Sequence, residues 1–202
     1  MIVLDLLKAA LDEARLAPSV HNVQPTRWRL ASDRLLLLGD LARAIPIADP
    51  AGRDWRLSHG AHFEGLALAL AARGTRLAEP QMLDTPVDHG LVPIAACHVA
   101  AEPIEPPQEP VRTRMSWRGA FKPVDPETQA ALARLAAEHG DCTLVTGRAD
   151  ISEIAQLADR AGLHFLRDDP HRAELIEWLR LSRAHPRYRR DGLNAGTGIP
   201  LS

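Results

Sequence analysis

A single long helical pattern over residues 53–73 constrains this chain more than any other feature. Trp55, His59, Phe63, Leu66 and Leu70 fall on one stripe, and the run from Leu66 to Ala72 is apolar on nearly every side. Water would solvate such a stretch poorly, so the helix belongs at the centre, with other elements packed around it. Gly74 supplies its C-cap. Before it, the spacing of Leu4, Leu7, Leu11 and Ala14 predicts an amphipathic helix over 3–16, ended by Pro18. Strands are expected at 26–30 and 34–38, joined by a turn at Ala31-Ser32-Asp33, and a loop containing Pro46 and Pro50 follows.

Strand-like segments at 77–83 and 91–100 come after the central helix. Glu102 to Pro110 holds four prolines and three glutamates in nine residues and reads as an extended crossover. A short helix is then expected at 112–119, and another over 126–139 with Asp125 as N-cap and Pro126 at its first position. A strand at 142–146 and helices at 151–161 and 171–183 complete the pattern. The stretch 191–198 has no periodicity and is expected to be mobile.

Composition excludes several classes. Apolar residues at 46% and charged residues at 25% are ordinary for a soluble globular protein. A net charge of −2 gives no case for a nucleic-acid or membrane partner. Cys97 and Cys142, far apart and without CxxC spacing, read as free thiols. An acid at Asp5 interrupts any secretory apolar core, and no apolar run is long enough to span a bilayer, so the expected localisation is cytoplasmic.

Two polar clusters stand out, on opposite sides of the crossover. Ala17-Pro18-Ser19-Val20-His21-Asn22-Val23-Gln24-Pro25 sets a hydroxyl and two amides between two stiffening prolines. It reads either as a polar turn ending a helix or as a loop meeting the polar edge of a ligand. Arg114, Ser116 and Arg118 alternate where a helix is expected to begin, with the two guanidinium groups about one turn apart. They form either a solvated basic helix start or a cradle for a phosphate. His59 and His62, at i, i+3, lack a third ligand at metal-site spacing and read as core histidines. Glu174 and Glu177, one turn apart, read as a solvated face rather than a catalytic pair, and Arg187-Tyr188-Arg189-Arg190 as a solvent-facing basic run.

The first cluster resembles the APSxHNxQPW signature of FMN-dependent nitroreductases, in the longer branch that contains the mycobacterial Acg proteins. Leu38-Gly39-Asp40-x-x-Arg43-x-Ile45-Pro46-x-x-Asp49-Pro50-x-x-Arg53 and Ser58-His59-Gly60-Ala61 fit that branch too. Arg114-x-Ser116-x-Arg118-x-x-Phe121 resembles the RxSxRxF helix of ordinary nitroreductases. There RxSxR comes first and the flavin sits at a dimer interface; here the order is reversed, as expected of two fused repeats that each supply half a site. Thr26 stands where the family has tryptophan, and Met115 and Trp117 replace more polar residues.

The resemblance implies an α+β fold, with a small mixed or antiparallel sheet and helices around a long central one. It implies a first repeat over 1–100, the crossover at 101–110 and a partial second repeat over 111–202, lacking a C-terminal part that longer relatives have. It implies FMN, with Arg114 and Ser116 on the phosphate, Arg118 at the flavin N1/O2 edge, and Ser19, Asn22 and Gln24 from the other lobe. The expected activity passes electrons from NAD(P)H through FMN to a small-molecule acceptor such as a nitroaromatic or quinone, with no catalytic side chain or metal required. A flavin-sequestering protein without turnover and a cofactor-free remnant are the alternatives. A shortened second repeat would leave the Trp55, Phe63, Leu66 and Leu70 stripe partly uncovered, so a homodimer built on that helix is expected.

Overall fold

The computed structural model describes residues 4–100, 113–117, 122–141 and 143–194. The expected crossover at 101–110, Arg118 and Cys142 lie outside them. The chain packs as two units, Met1–Trp117 with Glu174–Ser202, and Arg118–Ala173.

In the first unit, α1 (Leu4–Ala14) lies against α2 (Arg53–Ala71), and α2 packs on an antiparallel sheet. The sheet has the order β1-β2-β5-β4, from β1 (Thr26–Ala31), β2 (Arg34–Asp40), β5 (Leu91–Cys97) and β4 (Gln81–Met82). β1 and β2 form a hairpin in register from Thr26↔Gly39 to Ala31↔Arg34, turned by Ser32 with a left-handed φ of 55°. β2 and β5 shift register between Leu37 and Leu38, opposite Pro93, a residue with no N–H to give a ladder. The expected 77–83 strand divides around Glu79-Pro80: β3 (Arg76–Leu77) pairs instead with β6 (Val99–Ala100).

Periodicity and burial agree on the core. Leu7, Ala10 and Ala14 of α1 meet Leu66, Ala69 and Leu70 of α2, with Leu35, Leu77 and Cys97 closing the cluster. Gly74 (φ 69°) ends α2 as expected, and Thr75 N–H returns to the Leu70 carbonyl. Leu66 and Leu70 have no exposed surface at all. The expectation that their stripe stays partly uncovered is therefore corrected for Leu66 and Leu70, which α1 and the sheet cover, while Trp55 and Phe63 on the same stripe are half-buried and line a pocket. Cys97 is a buried free thiol, its Sγ directed at the Leu35 carbonyl.

The last part of this unit departs from the periodicity. Instead of one helix over 171–183, α5 (Asp169–Glu177) stops where Trp178 N–H turns to the Leu175 carbonyl. β7 (Leu179–Arg180) then pairs in parallel with β8 (Leu193–Asn194). Asp191 to Asn194, expected to be mobile, are thus held, Leu193 and Asn194 by this ladder and Asp191 by ion pairs to Arg43 and Arg180; the rest of that stretch lies outside the described residues.

The second unit contains α3 (Pro126–Glu138) and α4 (Arg148–Arg167). Asp125 caps α3 as expected, its carboxylate accepting from Thr128 N–H at 2.8 Å and from the Thr128 hydroxyl at 2.7 Å. α4 is longer than the 151–161 pattern suggests. Of the strand expected at 142–146, the described residues 143–146 carry none.

Candidate functional site

The loop after α1 combines internal hydrogen bonds with contacts from distant parts of the chain. Leu16 and Ala17 N–H close the helix onto the Glu13 and Ala14 carbonyls, and the chain extends at Ser19 before a single 3-10 turn over Val20–Asn22. Ser19 Oγ accepts from Gln24 N–H at 3.0 Å. Gln24 Nε2 donates to Asn22 Oδ1 at 3.2 Å, and Asn22 Nδ2 donates to the Gly192 carbonyl at 3.1 Å. Ser19, Asn22 and Gln24 are therefore brought together as expected. Their polar groups face one another, and the Asn22 amide also faces Gly192.

α2 anchors the same loop. Val20 N–H donates to Ser58 Oγ at 3.1 Å, and that hydroxyl donates to the Asp54 carbonyl. An open groove of about 420 Å³ runs between loop and helix, lined by Pro18, Ser19, Val20, Leu57, Ser58 and Ala61 among others.

The second motif reaches this loop from about a hundred positions away. The Arg114 guanidinium donates to the Leu16 carbonyl through Nε (3.2 Å) and Nη2 (2.9 Å), and through Nη1 to Ser116 Oγ at 3.2 Å. Arg114 and Ser116 thus sit beside the turn that opens the first motif. Both are exposed, and among the described residues three of the five guanidinium N–H groups are taken by these neutral acceptors, leaving two for an anion. Of the helix expected over 112–119, Arg114 to Trp117 carry no helix, and 112, 118 and 119 lie outside the described residues. The Arg118 role concerns a residue outside the described part.

Behind the loop, carboxylates that periodicity does not single out hold the backbone. Asp40 takes Arg27 at 2.7 Å and Arg43 at 3.6 Å. Buried Asp191 takes Arg43 and Arg180, each at 3.0 Å, and Arg187 at 3.5 Å, so Arg187 is partnered rather than merely solvated. Asp49 receives the Arg53 and Trp55 N–H groups at the start of α2. Glu174, expected on a solvated face, accepts from the backbone N–H of Ile47 (3.0 Å) and Ala48 (2.8 Å). The only sequence signal for such staples is an acid near a proline-rich loop that carries unpaired N–H groups.

A second, more apolar pocket of about 420 Å³ opens between α2 and the sheet, lined by Leu37, Trp55, His59, Phe63, Ile94 and others. None of the sequence-predicted site residues lines it. His59 Nδ1 shares a 2.8 Å hydrogen bond with Thr26 Oγ1, at the position where the family has tryptophan. Its ring meets Trp55 edge-on, with centroids 4.3 Å apart. A side chain at Gly39 would overlap the Trp55 ring and come within 2.9 Å of His59 Nε2, so this packing requires glycine there. Burial holds the His59 and His62 pKa values down at about 4, so both rings are neutral near pH 7. Among the described residues, no three His, Cys, Asp or Glu side chains gather closely enough to hold a metal ion. Nor is any helix there long and apolar enough to cross a membrane.

Over 75 residues the chain is 37% identical to a Mycobacterium tuberculosis protein provisionally named NAD(P)H nitroreductase Acg; the match covers 37% of this chain and 23% of that protein. A second M. tuberculosis protein, also provisionally named an NAD(P)H nitroreductase, is 28% identical over 185 residues. That match covers 86% of this chain and 51% of the relative, so the chain spans about half the length of this curated relative. The solved nitroreductase family protein of Streptococcus pneumoniae superposes with a TM-score of 0.41 at 16% identity, over 58% of this chain and 91% of its own. No protein-family model matches the chain.

Proposed function

We propose that this nitroreductase-like chain, similar in sequence to the Acg type, holds FMN and belongs to an NAD(P)H-dependent oxidoreductase acting on a small acceptor such as a nitroaromatic or quinone. The observation that supports it is the seating of Arg114 on the Leu16 carbonyl, at the mouth of the Ser19–Gln24 loop. Two motifs separated by the crossover thereby share one surface.

The donor set suits a flavin phosphate monoester. Arg114 supplies a cation with spare N–H groups and Ser116 a hydroxyl beside it, which together can hold a dianion at the protein surface. Ser19, Asn22 and Gln24 supply the polar groups for the ring and ribityl chain, and Arg118 is assigned to the N1/O2 edge. Bound FMN would supply hydride acceptance and electron transfer, chemistry that no side chain here provides. The protein's own part is to orient: the 19–24 loop carries its amides on a backbone held by α2, while Leu57 and Pro18 give the open groove an apolar edge. The division into a repeat over 1–100 and a partial one over 111–202, each giving half the site, belongs to the same proposal. So does a homodimer, for which Leu57, 70% exposed on α2 beside the groove, is the side chain to be covered.

The purified chain should carry, or take up, FMN with its visible absorbance bands. Addition of NAD(P)H under anaerobic conditions should bleach them. Colour that NAD(P)H leaves unchanged would replace turnover with sequestration. Failure to bind added FMN at micromolar concentration would reject both.

A further inference from the structure

Three residues of the candidate loop hold left-handed backbone: His21 (φ 44°), Asn22 (φ 54°) and Gln24 (φ 50°). In that region an L-residue's Cβ crowds the following carbonyl oxygen. Asn and His tolerate it better than Gln, and none takes it up without a cost. Such a loop keeps its shape only where contacts from elsewhere over-determine it.

Those contacts come from the chain's last described segment. Gly192 N–H donates to the Asn22 carbonyl at 3.0 Å, while Asn22 Nδ2 donates to the Gly192 carbonyl at 3.1 Å. Backbone and side chain of Asn22 are thus both taken by one residue, 170 positions away. Trp178 packs with Val23 and Ile45 beneath the loop. Arg43 reaches from the 41–43 turn to donate to the Val23 carbonyl at 2.7 Å, and it also pairs with Asp191 at 3.0 Å.

The segment that delivers Gly192 is itself braced. Leu193 N–H donates to the Trp178 carbonyl at 2.9 Å. Arg180 donates to Asp191 Oδ1 through Nε (3.2 Å) and Nη2 (3.0 Å), with both side chains buried. The Arg180 guanidinium also lies over the Trp178 ring, 5.5 Å from its centroid. Gly192 has φ 78°, and a Cβ there would overlap the Trp178 carbonyl oxygen and lie 2.9 Å from Arg180 Cγ. Only glycine lets the chain turn there and still present both backbone groups to Asn22.

We infer that Trp178–Asn194 is a clamp for the Ser19–Gln24 loop, with Gly192 and Asp191 as its positioning residues. Without the clamp the loop relaxes from its left-handed conformation, and the Asn22 amide loses the direction in which it serves the site. The clamp stands on the contacts above; its consequence for cofactor binding rests on the FMN reading.

The test uses hydrogen exchange of the full chain, wild type against Gly192→Ala, with FMN and riboflavin titrations alongside. Two hydrogen bonds lost from Asn22 should speed exchange across 19–24 by roughly tenfold or more, while α1 and α2 exchange as in the wild type. FMN and riboflavin affinities should fall by the same factor, because the phosphate contacts are untouched. Unchanged exchange at 19–24 in a folded variant overturns the clamp. If Gly192→Ala does not fold, Asp191→Asn carries the same expectation and the same refutation. Faster loop exchange with unaltered FMN affinity overturns the positioning role. A wild-type chain that binds no FMN rejects the flavin reading instead, and leaves exchange alone to decide the clamp.

Discussion

Arg114 shows how far a residue's role depends on what folding brings to it. Its spacing from Ser116 and Arg118 suggests a helix start, yet Arg114 to Trp117 are not helical, and its guanidinium rests on the Leu16 carbonyl. Because the side chain is exposed, its attraction for a phosphate is screened. Arg114→Ala should therefore cost about 1–2 kcal/mol of FMN affinity, roughly a tenfold rise in Kd. Riboflavin, which lacks the phosphate, should bind the variant and the parent alike. Fluorescence titration of both ligands checks this, and equal losses for the two would move Arg114 off the phosphate.

At the scale of elements, α2 places two neutral histidines against the first unit's core. Folded His59 and His62 titrate at about 4 against an ordinary value of 6.5, with burial the leading cause for both. Above pH 6.5 neither state binds these protons, and the stability of the neutral packing is fully present. As pH falls from about 6.5 towards 4 the unfolded chain takes up protons that the folded chain refuses, so stability drops. The loss is on the order of 3 kcal/mol per histidine once pH 4 is passed. Urea unfolding between pH 7.5 and 4 should show this decline, and His62→Gln should flatten part of it. A flat profile would mean that both rings are already solvated in the folded state. Periodicity places both histidines on this central helix; the size of their shifts comes from α1 and the sheet, which exclude water from it.

For the whole molecule, the decisive correction concerns what covers α2. Leu66 is fully buried against α1 and the sheet, so Leu66→Glu puts an unpaired carboxylate into the core. It should destabilise the chain by several kcal/mol, seen as a collapsed thermal transition in circular dichroism, whatever the oligomeric state. Leu57 is the contrasting position. Leu57→Glu should leave the thermal transition within a few degrees of the parent and, if the proposed homodimer forms, shift sedimentation to the monomer. A Leu57→Glu protein that sediments like its parent would remove that face from the interface.

The central helix, the α1 amphipathic pattern, the β1–β2 hairpin, the Gly74 cap and the Asp125 cap were all legible in the sequence. Each depends on side-chain periodicity or on one residue's backbone preference, which neighbours in the chain are enough to specify. The grouping of Ser19, Asn22 and Gln24 was legible for the same reason. What only the tertiary structure decided is long-range. Asn22 meets Gly192, Arg43 and Arg180 meet Asp191, and Glu174 meets the Ile47 and Ala48 amides. These partners lie more than a hundred positions apart, except Arg180 and Asp191, which the β7–β8 pairing joins. Nothing in local periodicity distinguishes such an acid or glycine from a solvated one. Burial and an unpaired backbone group select it, and both exist only once the chain has folded.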